Sequence, residues 1–170
     1  MVITLCIPLR YIFKLEDYIT MDNFDGMSKM IILTSSIVFY AYLIEFFIAW
    51  YSGNKYEYDQ FIYRAVGDYA LFYWIMMFCN GIVPHLLWFK KIRHNLMILF
   101  IITLLINIGM WFERFNIIVI SLSKEFEPGS WGLYKPSWVE IGITVGSFAW
   151  FFMFFLIFVR TLPALSIAEI

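Results

Sequence analysis

The residues best suited to chemistry lie in segment 107–116, where Glu113 and Arg114 stand side by side in an otherwise apolar run. A charge at the centre of a membrane helix costs roughly 2.5 to 3.5 kcal/mol on insertion scales. Ionisable residues that occur there are by default candidates for proton transfer or ligand binding. The pair predicts either a functional polar site or buried ion pairs that fix helix register, and both interpretations stay open.

Glu113 and Arg114 need not pair with each other, because successive residues of a helix point about 100° apart. We expect each to have a partner on another helix, and Glu45, Arg64 and Asp68 are the available ones. A site built from these five residues would conduct protons or hold a quinone headgroup. For Asp68 the simpler interpretation is an interfacial residue at the start of a helix.

The composition is that of a membrane domain, with 62% hydrophobic and only 15% charged residues. A net charge of −1 gives no basis for nucleic-acid binding. Cys6 and Cys79 lie far apart in apolar runs and suggest neither a disulfide framework nor a metal site. We therefore expect membrane lipid to surround the chain.

Four apolar segments are long enough to cross a membrane, because about twenty residues at 1.5 Å per residue span the hydrocarbon core. They are residues 30–51, 67–89, 96–122 and 138–160. We predict an all-α, multi-pass transmembrane bundle of four near-antiparallel helices over residues 30–170. Residues 1–29 are predicted to be the remnant of a preceding helix and an interfacial loop, and residues 55–64 a loop. Pro84 predicts a kink in the second span.

Basic residues in short loops predict the orientation. One side of the membrane would hold Arg10, Lys14, Lys29, Lys90, Lys91, Arg93 and Arg160, and the other Lys55, Arg64, Lys124, Lys135 and, if it emerges, Arg114. The tight turn at residues 90–94 is the strongest single indication, and both ends are predicted to be cytoplasmic. Arg64, Asp68, Glu113 and Arg114 then lie toward the outer face, with Glu45 about two turns below it.

Motifs of soluble enzymes are missing from the sequence, including phosphate-binding glycine loops, nucleophile elbows and cysteine pairs for metals. A haem between helices would need histidines that face each other near mid-membrane. His85 and His94 are at or near the basic turn instead. We expect no metal and no cofactor to be bound by the chain itself.

Several long motifs resemble those of a known family of membrane subunits. They are YAYLIEFFIAWYSGN at residues 40–54, FKKIR at 89–93, NIGMWFERF at 107–115, SWG at 130–132 and LPALS at 162–166. The chain is similar over nearly its whole length to the NrfD/polysulfide-reductase-like integral membrane subunits. Within that family it is most similar to the larger quinol-binding membrane subunit of bacterial alternative complex III.

The resemblance implies a function in respiratory electron transfer in the bacterial inner membrane. Such subunits take electrons from menaquinol on the outer side, and a role in proton translocation is proposed for the family. Their partners are iron–sulfur/molybdopterin-like subunits, multihaem cytochrome subunits and a second NrfD-like subunit. Menaquinol would be the substrate, and Arg114 and Glu113 would line the outer end of the second helical bundle.

The chain departs from the family by being short, and by resemblance we expect it to be the C-terminal portion only. The first bundle, where the family carries its histidine and aspartate at the quinol headgroup, has no counterpart in these residues. We therefore expect the chain to act within a larger complex and not as an enzyme alone. Two alternatives stay open: a structural anchor that docks the iron–sulfur and cytochrome subunits, and a proton pathway without redox chemistry.

Overall fold

The computed structural model describes residues 1–123, 132 and 134–161, and all regular structure in these ranges is helical. The α-helices are α1 (Val2–Ile12), α2 (Met21–Tyr51), α3 (Lys55–Val66), α4 (Ala70–Met77), α5 (Lys90–Arg93), α6 (Leu96–Phe115), α7 (Ser121–Ser123) and α8 (Trp138–Thr161). A π-helical segment (Phe78–Ile82) and a 3-10 segment (Val83–Trp88) continue α4, and a second π-helical segment (Asn116–Ile120) continues α6. The predicted all-α fold class is confirmed.

Four of these helical stretches are long and apolar enough to cross a membrane, which indicates a multi-pass membrane protein. They are Met21–Tyr51, Ala70–Trp88, Leu96–Ile120 and Trp138–Thr161. The predicted stop after Tyr51 is confirmed, because Gly53 adopts φ +67°, a left-handed conformation that glycine enters without strain and that ends helices. The third span begins where Asn95 accepts hydrogen bonds from the backbone N–H groups of Met97 and Ile98.

Two segments predicted to be loops are helical instead. Helix α2 begins at Met21, not at residue 30, and a 2.7 Å ion pair between Asp25 and Lys29 supports its first turns. Residues predicted to be the loop 55–64 form the amphipathic helix α3, whose start Asn54 caps by accepting a hydrogen bond from the Tyr56 N–H. Mean hydropathy misses such helices because polar residues on one face offset apolar residues on the other.

The predicted distortion at Pro84 takes the form of a change in helix type. Proline has no N–H to donate to the carbonyl one turn earlier, so a regular α-helix cannot continue through it. The chain is π-helical over Phe78–Ile82 and then tightens into the 3-10 segment Val83–Trp88. The His85 ring compensates for part of this lost hydrogen bonding, because its Nδ1 lies 2.6 Å from the carbonyl oxygen of Gly81.

The described residues divide into two compact units, Met1–Gly132 and Leu133–Ile170. The core of the first unit lies where α1, α2, the 3-10 segment and α6 meet. It contains Ile3, Ile7, Phe24, Ile32, Val83, Leu87, Leu99 and Ile102. We call this side of the unit, which also carries α5, the basic end, and the side that carries α3 the far end.

The second unit contains α8, which begins with a reciprocal capping box. The backbone N–H of Ser137 donates to the Glu140 carboxylate at 2.8 Å, and the Glu140 N–H donates to the Ser137 hydroxyl at 3.3 Å. The predicted assembly of all four spans into one bundle stays a prediction. The SWG motif at 130–132, apart from Gly132, and the LPALS motif at 162–166 lie outside the described residues.

Candidate functional site

The carboxyl group of Glu113 is hydrogen-bonded inside the membrane-spanning part of the first unit. The side-chain amide of Asn80 donates to Glu113 Oε2 at 3.2 Å, and Asn80 is only 3% exposed. At 1.5 Å per residue, Glu113 lies about 26 Å along the axis from Leu96 and about 15 Å from Ser123. Glu113 therefore lies within the third span and not at its end. Its partner Asn80 lies near the middle of the second span.

Tyr42 completes what we call the polar triad, which consists of Tyr42, Asn80 and Glu113. The Tyr42 hydroxyl lies 3.4 Å from the Asn80 amide nitrogen and also interacts with the Glu113 carboxyl. The three residues come from α2, the first π-helical segment and α6. The triad thus joins three spans through groups that can donate and accept hydrogen bonds at one point.

Gly109 makes the triad possible because it lets α6 approach the π-helical segment closely. A Cβ atom at this position would collide with the side-chain oxygen of Asn80 and would lie 2.7 Å from the Cβ of Cys79. Gly109 stands one helical turn before Glu113, so both residues present the same face of α6 to Asn80. π-Helical turns occur frequently at functional sites, and this one places Asn80 against that face.

A second buried asparagine lies beyond the triad toward the far end. The Asn116 amide lies 3.4 Å from the thioether sulfur of Met76, and Asn116 is 4% exposed. Among the described residues, the side-chain oxygens of Asn80 and Asn116 are buried and accept no hydrogen bond. Buried carbonyl oxygens without a donor are uncommon, and both occur in the π-helical segments, Asn80 within the first and Asn116 at the start of the second.

At the far end, Glu45 and Arg64 form an ion pair with an N–O distance of 3.2 Å. The Arg64 guanidinium also lies over the Phe61 ring, 5.1 Å from its centroid. The Glu45 side chain is 52% exposed, whereas Asn80 is 3% exposed. Tyr42 precedes Glu45 by almost one turn on α2, which places the ion pair next to the triad.

Asp68 lies in the turn between α3 and α4. It is exposed and accepts a hydrogen bond of 3.0 Å from the Tyr63 hydroxyl. Burial, together with this hydrogen bond, raises the pKa of the Tyr63 phenol. The position of Asp68 agrees with the interfacial interpretation, and the described contacts do not bring it to the triad.

The partners predicted for Glu113 and Arg114 differ from those in the structure. Glu113 bonds to Asn80, and Glu45 and Arg64 bond to each other. Arg114 is exposed and makes no hydrogen bond or ion pair with any described residue. The reason is the 100° step between neighbours on a helix: Glu113 faces α4 and its continuation, and Arg114 faces away.

The structure also places a second charged cluster at the basic end, which the sequence analysis did not identify. Asp25 forms ion pairs with Lys29 at 2.7 Å and with Arg93 at 2.8 Å, and the His94 Nε2 lies 4.0 Å away. The cluster ties the start of α2 to the turn between the second and third spans. Residue 25 was predicted to lie in a loop, so its spacing from Lys29 on a helix was not considered.

The described part of the chain contains no evident set of residues that could bind a metal ion or haem. No three His, Cys, Asp or Glu side chains are grouped there, and Cys6 and Cys79 are free thiols. The His85 Nδ1 is engaged with the Gly81 carbonyl, as described above. The donor set of the triad, a carboxyl, an amide and a phenol, is suited to hydrogen bonding and proton transfer.

Comparison with known protein families found no family model that matches the chain, and comparison with curated proteins found no match.

Proposed function

We propose that the chain is the C-terminal part of a membrane subunit of a quinol:electron-acceptor oxidoreductase, in which Glu113 accepts protons. The observation that carries the proposal is the 3.2 Å hydrogen bond that holds the Glu113 carboxyl beside Asn80 at membrane depth. Ionisable groups at such positions are costly, and they mark proton relays and ligand sites. The sequence resemblance to quinol-oxidising subunits supplies the reaction.

Oxidation of a quinol releases two electrons and two protons. In the proposal the electrons pass to iron–sulfur and haem groups of partner subunits, and the chain's own residues handle protons. The Glu113 carboxylate takes up a proton, the Asn80 amide fixes the orientation of the carboxyl, and the Tyr42 hydroxyl adjoins both. These donors and acceptors match the hydrogen bonds that a hydroxylated headgroup makes, so their chemistry fits menaquinol as substrate.

The proposal includes the setting that the resemblance implies. The chain would lie in a bacterial inner membrane with both described ends cytoplasmic, because the basic end carries Lys90, Lys91 and Arg93 in a short turn. The Glu45–Arg64 pair would then face the outer side. Partners would be an iron–sulfur/molybdopterin-like subunit, multihaem cytochromes and a second NrfD-like subunit.

Purification of the tagged chain from its native membrane tests this assignment. We expect subunits that contain iron–sulfur clusters and haem to co-purify in a mild detergent, and menaquinol to reduce the haem. Isolation of the chain without redox subunits, from membranes that were solubilised without loss of other complexes, would contradict the proposal. A preparation with redox subunits but no menaquinol-dependent haem reduction would contradict the proposed substrate.

The exposure of Arg114 favours a second candidate function, that of a structural anchor for partner subunits. A guanidinium on the outside of a membrane helix gains much from a carboxylate on a neighbouring subunit. In this case Arg114→Leu should reduce the amount of partner subunits that co-purify, whereas Arg114→Lys should retain them. Equal assembly of the wild type and the Arg114→Leu protein would argue against the anchor.

A further inference from the structure

We propose that the Tyr42 hydroxyl relays protons between the partly buried Glu113 carboxyl and the half-exposed Glu45 carboxylate that pairs with Arg64. The inference rests on the proposed function for its purpose, because it assigns a path to the protons that Glu113 accepts. The geometry of the relay rests on two separate observations. These are the position of Tyr42 between the two carboxyl groups and the thioether contacts of the two buried asparagines.

The contacts of Tyr42 join the triad to the far end. Its hydroxyl lies 3.4 Å from the Asn80 amide, which in turn lies 3.2 Å from the Glu113 carboxylate. On α2, Glu45 follows three residues later, and side chains with this spacing are neighbours on one helix face. The Glu45 carboxylate is half exposed and is held by Arg64 at 3.2 Å. A hydroxyl group therefore stands between a partly buried carboxyl and a more exposed one.

Among the described residues, the thioether contacts of Asn80 and Asn116 offer no comparable route. The Asn116 amide contacts the Met76 thioether, and the Asn80 amide contacts the Met110 thioether at 3.7 Å. A thioether is only a weak acceptor and has no proton to give, and an amide is not a practical proton carrier. Besides Glu113 itself, Tyr42 is the described residue hydrogen-bonded to Asn80 whose side chain can both accept and donate a proton.

The relay step conserves atoms and charge. The Glu113 carboxyl gives its proton toward the Tyr42 oxygen, while the Tyr42 O–H gives its proton through water to the Glu45 carboxylate. One O–H bond forms and one breaks at the tyrosine oxygen, so Tyr42 ends neutral and no redox change occurs. Return of the hydroxyl to its first orientation resets the relay. Arg64 holds the Glu45 carboxylate through the 3.2 Å ion pair.

Infrared spectroscopy of the full protein in its native complex tests the relay without quinol turnover. The pH is lowered until the carboxyl C=O band of protonated Glu113 is seen, and Glu113→Gln assigns that band. After transfer to D₂O, the rate at which the band shifts reports proton exchange between Glu113 and water. We expect Tyr42→Phe to slow this exchange about tenfold or more, in line with the usual contribution of a positioned proton-transfer group.

Tyr40→Phe is the matched control, because it removes the same oxygen from a residue of the same helix that is 63% exposed. It should leave the exchange rate at the wild-type value. Equal exchange in the Tyr42→Phe and Tyr40→Phe proteins would overturn the relay. If Tyr42→Phe unfolds at a lower temperature than the control, Glu45→Gln decides instead. It should also slow exchange, and an unchanged rate in that variant would overturn the relay as well.

The exchange rate is measured with no quinol present, so its outcome is separate from the proposed activity. Slow exchange in Tyr42→Phe combined with no menaquinol oxidation by the wild-type complex would keep the relay and remove the redox assignment. Normal exchange combined with menaquinol oxidation would keep the redox assignment and remove Tyr42 from the proton path.

Discussion

The side-chain amide of Asn80 donates a hydrogen bond to the Glu113 carboxyl across the interface between the second and third spans. The bond joins a π-helical segment to α6 at a point where Gly109 has no side chain to keep them apart. An amide that donates to a carboxylate makes a charge-assisted bond, which is stronger than a bond between neutral groups. The pair therefore fixes helix register and holds a titratable group inside the membrane.

Replacement of Gly109 by alanine should destabilise the protein by about 1 to 3 kcal/mol, the usual cost of overpacking. The added methyl group would collide with Asn80 and Cys79. Gly26→Ala is the control, because Gly26 is on α2 with no neighbouring atom within 4 Å. Alanine is favoured there by about 1 kcal/mol of helix propensity. Thermal unfolding in detergent measures both, and equal stability of the two variants would show that the close approach at Gly109 has no energetic role.

A double-mutant cycle should reveal energetic coupling between Asn80 and Glu113. Each alanine substitution alone leaves the other side chain without this hydrogen bond, so the two effects overlap in the double variant. We expect a coupling free energy of about 0.5 to 3 kcal/mol, as found for contacting pairs. The cycle of Asn80 with Glu16, an exposed residue of the loop before α2, should be additive. Additivity in both cycles would remove the Asn80–Glu113 bond as a stabilising contact.

Asp25→Asn should lower the unfolding temperature more than Asp22→Asn does. Asp25 binds Lys29 and Arg93 and so ties α2 to the basic turn, and the Arg93 side chain is only 13% exposed. Loss of the carboxylate charge would leave that arginine with a weaker partner. Asp22 is an exposed acidic residue of the same first helical turns. The prediction fails if the two amide variants unfold at the same temperature.

Hydropathy was sufficient to predict the four spans, because a stretch of about twenty apolar residues has few alternatives to a membrane helix. The ends of α2 show the limit of that signal. The stop after Tyr51 was marked by Ser52 and Gly53, whereas the start was missed because Asp22, Asp25 and Lys29 lower the mean hydropathy. The charges of Asp25 and Lys29 are accommodated in the first turns by an ion pair that only the folded helix brings together.

The sequence singled out Glu113 and Glu45 correctly as residues inside spans but did not identify their partners. Which side chains meet depends on how each helix is rotated about its axis. A uniformly hydrophobic segment does not determine that rotation. Asn80 was noticeable as a polar residue beside a glycine in mid-span. Nothing in the sequence distinguishes Tyr42 from the rest of the eleven tyrosines of the chain. Its place in the triad follows from the close packing of three helices around Gly109 and Asn80.

The most direct test of the proposed proton-accepting role of Glu113 is menaquinol turnover by the intact complex with Glu113→Gln. Glutamine keeps the size and hydrogen-bonding capacity of the side chain but cannot take up a proton. We predict that turnover falls about a hundredfold, within the range for loss of a positioned proton acceptor, while partner subunits still co-purify and Glu16→Gln stays at the wild-type rate. Wild-type turnover in a normally assembled Glu113→Gln complex would contradict the role and leave the residue a purely structural one.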